Sequence, residues 1–130
     1  MMKEWPFSNK TEDEWEPIAC VYAGPDILVP STVIPYSFII GRSPECDIVL
    51  EHSTISRKHC EIKQSTENRE YLIRDLGSSN GTYVNGKRIG IEWVGIIPGA
   101  TIELGNRKYS FEMRSFGDLS MEELWLPKGR

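Results

Sequence analysis

Three short polar segments of this 130-residue chain carry side chains suited to holding an anion. The loop 51–59 (EHSTISRKH) ends in Ser56-Arg57-Lys58-His59, a hydroxyl and two cations placed consecutively before the run that starts at Cys60. A strand at that point would hold them rigidly. Gly41-Arg42-Ser43 closes the apolar run 38–40. An arginine fixed at a strand end offers phosphate a planar fork of N–H donors. Gly77-Ser78-Ser79-Asn80-Gly81-Thr82 joins glycines, which permit unusual dihedrals, to the short hydrogen-bonding groups of Ser79 and Asn80. Each segment alone is commonplace: a Gly-Arg usually ends a strand with a solvated charge, and a Gly-Ser-Ser-Asn-Gly usually makes a turn. A nucleotide P-loop does not fit, since no Gly-Lys-Ser/Thr follows a strand and opens a helix.

The elements that would position these segments read as short strands. Residues 18–23 are apolar and end at the turn Gly24-Pro25-Asp26. Residues 27–29 and 33–34 are interrupted by Pro30 and Ser31, and Pro35 suggests an edge or bend. The runs 60–63, 101–104 and 108–113 alternate apolar with polar residues, as antiparallel strands with one wet face do. Thr82-Tyr83-Val84, then Asn85-Gly86, then Lys87-Arg88-Ile89 is a hairpin signal, because a type I′ turn favours Asn-Gly. About ten such strands with no internal helix indicate a β-sandwich. Residues 1–16 form an acidic arm and 17–114 the body. The tail, 115–130, carries a capping-box match at Ser120-Met121-Glu122-Glu123 that predicts a short helix before Pro127.

Bulk properties narrow the function. A chain of 130 residues with 39% hydrophobic and 26% charged content suits one soluble domain. With 15 basic against 19 acidic residues the formal charge is −4, which argues against a general nucleic-acid or membrane-surface binder. Anion recognition would have to come from local placement. Cys20, Cys46 and Cys60 are odd in number without Cys-x-x-Cys spacing, and His52 and His59 do not complete a zinc set. The expected setting is intracellular and reducing, with no metal. No run approaches the ~18 apolar residues of a membrane span, and the N-terminus does not read as a signal peptide.

Taken together, the order Gly41-Arg42, Ser56-Arg57-Lys58-His59, Gly77-Ser78-Ser79-Asn80-Gly81-Thr82 and Asn85-Gly86 resembles the forkhead-associated (FHA) domain, over residues 18–114. The resemblance implies an all-β, eleven-stranded antiparallel sandwich whose end loops bind phosphothreonine in an extended peptide. It implies a signalling module of the cytoplasm or nucleus without catalysis or cofactor, whose partner is a phosphothreonine-containing protein or peptide. By the same resemblance Arg42, Ser56 and Arg57 would contact the phosphate. Ser79 would lie beside the phosphate and the threonine methyl, and Asn80 would hold the peptide backbone. Gly41, His59 and Gly81 would support the site, and Lys58 would point away. Two features depart from the family pattern: Ala100 stands where an aspartate is usual, and the connection 90–97 is long.

Two other functions compete. A serine hydrolase could use Ser56 or Ser79 with His59 and Asp75, although no Gly-x-Ser-x-Gly elbow is present. A phosphate-independent scaffold could use the sandwich face and the loop around Trp93. Finally, Thr11, followed by Glu12-Asp13-Glu14, suits an acid-directed kinase. Phosphorylated, it could dock on a neighbouring copy and drive self-association.

Overall fold

Among the described residues, hydrophobic positions spaced by two build eleven strands in two stacked sheets, and the turn residues between them set the chain's reversals. The computed structural model describes residues 17–28 and 37–115. Thr11 and its acidic neighbours, the run 33–34 and the tail helix expected at Ser120 lie outside them.

The strands are β1 (Pro17–Ala23), β2 (Asp26–Leu28), β3 (Ser37–Gly41), β4 (Ile48–Val49), β5 (Cys60–Gln64), β6 (Tyr71–Asp75), β7 (Thr82–Val84), β8 (Lys87–Ile89), β9 (Val94–Ile96), β10 (Thr101–Leu104) and β11 (Arg107–Ser115). One sheet has the order β2-β1-β11-β10-β7-β8 and the other β4-β3-β5-β6-β9. All pairings are antiparallel except β3 with β4, where the loop after Gly41 doubles back and places Ile48 beside Ile40. Between the sheets lies one core of Val21, Phe38, Ile40, Ile48, Leu50, Ile62, Ile73, Ile102, Leu104 and Phe111, all buried. A buried side chain of this size is worth about 1.5–3 kcal/mol, so the core holds both sheets in fixed relation.

The long connection 90–97 is not all loop: Val94–Ile96 adds to the sheet edge beside β6. Trp93, which precedes it, is half-buried, with the Lys63 ammonium 4.3 Å and the Arg74 guanidinium 4.7 Å from its ring. Arg74 also donates to Glu61 at 2.9 Å. The Asn85-Gly86 turn is as expected: both residues have positive φ, 51° and 87°, as a type I′ turn requires. Ala100 is buried just before β10, beside the positive-φ Gly99. It lies at the sandwich end away from the three polar segments and does not bear on them.

Because β3 runs up to Gly41, β5 leaves from Cys60 and β6 ends at Asp75, the loops 42–47, 51–59 and 76–81 emerge at one end of the sandwich. That placement brings residues far apart in sequence onto one surface.

Candidate phosphate site at the loop end

Gly41 begins the site. A Cβ at this position would overlap the Arg57 carbonyl oxygen and press on Lys58 Cα. Only glycine lets the end of β3 approach the 51–59 loop so closely. Backbone bonds then lock the two together: Arg42 N–H donates to the Ser56 carbonyl at 2.9 Å and Ser43 N–H to the Arg57 carbonyl at 3.0 Å. The Cys46 thiol adds a bond to the same Arg57 carbonyl at 3.0 Å. Arg42 is held by its side chain too, with Nε donating to the Ile55 carbonyl at 2.9 Å. Among the described residues nothing bonds its four remaining guanidinium N–H groups, which sit at an exposed position. N–H groups on two guanidinium nitrogens are what arginine needs to fork a phosphate.

His59 is the internal brace. It is fully buried. Its Nδ1 accepts the Ser56 backbone N–H at 3.0 Å, and the other ring nitrogen, Nε2, lies 2.8 Å from the Gly81 carbonyl. With Nδ1 accepting, Nε2 carries the proton and donates. Burial pushes the imidazole's pKa below its ordinary value, against the opposing pull of the Gly81 carbonyl and Asp75. The ring is therefore neutral, and it ties the 51–59 loop to the 76–81 loop. Both nitrogens are committed to the backbone, so neither is left to activate a serine hydroxyl.

Asp75 organises the third loop. Its Oδ2 accepts the N–H groups of Gly77 and Ser78, each at 2.8 Å, and its Oδ1 accepts the hydroxyls of Ser78 at 2.5 Å and Thr82 at 2.7 Å. Burial pushes its carboxyl pKa up, but the bonds from Ser78, Thr82 and Gly77 outweigh it and hold the pKa below the ordinary carboxylate value. Ser78 also accepts the Gly81 N–H at 2.9 Å. Asp75 thus shapes a loop and makes none of the bonds that hold His59, which removes the triad geometry weighed for a hydrolase.

The outer layer completes the site. Ser56 Oγ accepts the Ser79 N–H at 3.0 Å, which leaves its own hydroxyl hydrogen free to donate outward. Asn80 Nδ2 donates to the Thr54 carbonyl at 2.8 Å, leaving its carbonyl oxygen and second N–H for another partner. Arg57, Ser79 and Asn80 are exposed and Ser56 half-buried. Lys58 is exposed as well. Arg42, Ser56, Arg57, Ser79 and Asn80 are therefore brought to one surface, with Gly41, His59 and Gly81 directly beneath it. The sequence did not single out Ser78, Thr82 and Thr54 as supports. Ser78 had one available signal: an aspartate followed after two residues by a serine is a common side-chain-to-backbone turn.

A model of the FHA domain matches residues 38–105. This chain belongs to the FHA family. The FHA domain-containing protein PS1 of Arabidopsis thaliana is 32% identical over 93 residues, covering 71% of this chain and 6% of that protein. The structure of Mycobacterium tuberculosis EmbR in complex with a low-affinity phosphopeptide superposes with a TM-score of 0.67 at 27% identity, covering 79% of this chain and 26% of that one. A structure from work on phosphothreonine-dependent FHA domain interactions superposes with a TM-score of 0.63 at 25% identity, over 78% of this chain and all of the other. The chain thus spans a small part of the length of PS1 and EmbR. Among the described residues no helix is long and apolar enough to cross a membrane.

Proposed function

We propose that this FHA domain binds phosphothreonine in an extended peptide segment, through Arg42, Ser56 and Arg57 for the phosphate, Ser79 beside the phosphate and the threonine methyl, and Asn80 for the flanking backbone. The observation that carries the reading is the donor set left over after the loops have been tied. Arg42 retains four N–H groups, Ser56 a hydroxyl hydrogen and Asn80 an amide edge, all at one rigid end. Among the described residues neither Arg42 nor Arg57 has a carboxylate within ion-pair distance, whereas Arg74 is neutralised by Glu61. The FHA match and the phosphopeptide complex of the similar EmbR structure support the same reading.

A phosphothreonine carries about −1.5 to −2 charges at neutral pH. Charge-assisted bonds of about 1.5–3 kcal/mol each, less the costs of desolvation and ordering, place the affinity in the micromolar range, about 8 kcal/mol. Selectivity for threonine over serine rests on one methyl group and amounts to about 1 kcal/mol. The test is titration calorimetry with one peptide in phosphorylated and unphosphorylated forms, against wild type and Arg42→Ala. Micromolar binding of the phosphorylated form alone, lost in the variant, is expected. Equal binding of both forms, or an unaffected Arg42→Ala, would favour a phosphate-independent scaffold.

A further inference from the structure

Arg88, on β8, was part of no site in the sequence, yet its guanidinium rests on the site's third loop. Its Nε, Cζ and Nη2 atoms lie 2.9, 3.1 and 3.2 Å from where a Cβ on Gly81 would stand, so the head group covers the bare Gly81 Cα. Gly81 follows Asn80 directly. One Cα–Cβ bond and one Cα–Cα step added to that contact put the guanidinium within about 8 Å of the Asn80 Cα. Arg88 is itself exposed. On its own sheet it pairs across from Tyr83, whose ring centroid is 6.0 Å from the guanidinium. Tyr83 in turn pairs with Glu103, so the ring stands between Arg88 and the acid on that row. No carboxylate among the described residues lies within ion-pair distance of Arg88. The residue is a cation steadied by a glycine backbone and an aromatic ring, beside the proposed peptide path and without an anion of its own.

We propose that Arg88 is a specificity-determining residue that pairs with an aspartate or glutamate side chain of the ligand. This rests on the phosphothreonine reading and narrows it: the preferred ligand carries an acid close to the phosphothreonine. An extended peptide advances about 3.3 Å per residue, so a reach of about 8 Å from Asn80 places that acid within about three residues. Exposed ion pairs are weak, so the contact tunes a choice among phosphopeptides and does not create binding.

The experiment uses a phosphothreonine peptide in an alanine background, with one glutamate moved through each of the three positions on either side. Wild type, Arg88→Gln, which keeps a stem over Gly81, and Arg88→Glu are titrated. At one position the glutamate should strengthen wild-type binding two- to fivefold. The gain should vanish in Arg88→Gln and become a loss in Arg88→Glu, while Arg88→Gln binds the all-alanine phosphopeptide within twofold of wild type. A gain that persists in Arg88→Gln, or no favoured position in wild type, overturns the proposal. So does a uniform loss in Arg88→Gln, which would make the residue a mere cover for Gly81. Failure of wild type to bind any phosphopeptide would instead fail the phosphothreonine reading, and this proposal would fall with it.

Discussion

The two ends of the sandwich are built from the same strands but are tied differently. At the site end the loops bond to one another: Ser56 to Ser79, Thr54 to Asn80, and His59 to both Ser56 and Gly81. At the opposite end each described loop is held mainly within itself or to an adjoining strand. Ser65 N–H donates to the Glu70 carbonyl, Gln64 to the Arg69 carbonyl, and Asn85 exchanges bonds with Thr101. That end also exposes Ile97 and opens an apolar groove of about 510 Å³ lined by Tyr71, Ile96, Pro98 and Met113. A turn needs only local chemistry to reverse the chain. A surface that must present several donors to one anion needs its loops fixed relative to each other before the ligand arrives, because ordering them on binding would consume affinity.

The contrast can be broken hardest at its brace. His59→Ala should cost about 3–4 kcal/mol in urea unfolding, since it leaves a cavity and strands the Ser56 N–H and Gly81 carbonyl. The wild-type pH profile follows from the same group. An imidazole whose pKa is lower folded than unfolded contributes stability above about pH 6.5, lost as pH falls through the folded value. Asp75, also lowered, adds a second loss at more acidic pH, below the ordinary carboxylate value. Stability should thus be flat near neutrality and fall toward acid, and His59→Ala should shrink the first step to the share left by His52, whose pKa burial and Arg107 also lower. A profile that rises toward acid would contradict the buried neutral imidazole.

Gly41→Ala should come next, at about 2–3 kcal/mol, because the new methyl meets the Arg57 backbone and not a yielding side chain. Here loss of phosphopeptide binding should accompany the loss of stability, as the two loops are pushed apart. Arg42→Ala should separate those effects: about 2 kcal/mol of binding lost, some 30-fold, with the unfolding midpoint little changed. Ser56→Ala should weaken the same binding by about 1.5 kcal/mol, roughly tenfold. At the other end, Ile97→Lys should alter stability by less than about 0.5 kcal/mol and leave phosphopeptide titrations unchanged. A large binding effect there would mean that the two ends are not independent.

Much of this was legible from residues alone, because alternation and turn chemistry are local. The runs 60–63, 101–104 and 108–113 became strands, Asn85-Gly86 became a positive-φ turn, and the three polar segments pointed to one family. Val94–Ile96 was read as part of a loop because three residues around Gly95 show little pattern; β6 beside it makes it a strand. Arg88 gave no signal because its meeting with Gly81 depends on how β8 pairs with β7.

The sequence by itself determined the parts: which hydroxyls, amides and cations exist, and that strands would hold them. The resemblance implied a division of labour among them, and only the tertiary structure supplied the bonds that carry it. Ser56 and Ser79 are 23 residues apart, Thr54 and Asn80 26, and His59 and Gly81 22. Bonds over such separations follow from sheet register and core packing, which no local period encodes. Those bonds make His59 a neutral brace and leave Ser56 and Asn80 with donors to spare, whereas Asp75 organises its loop through partners only two to seven residues away.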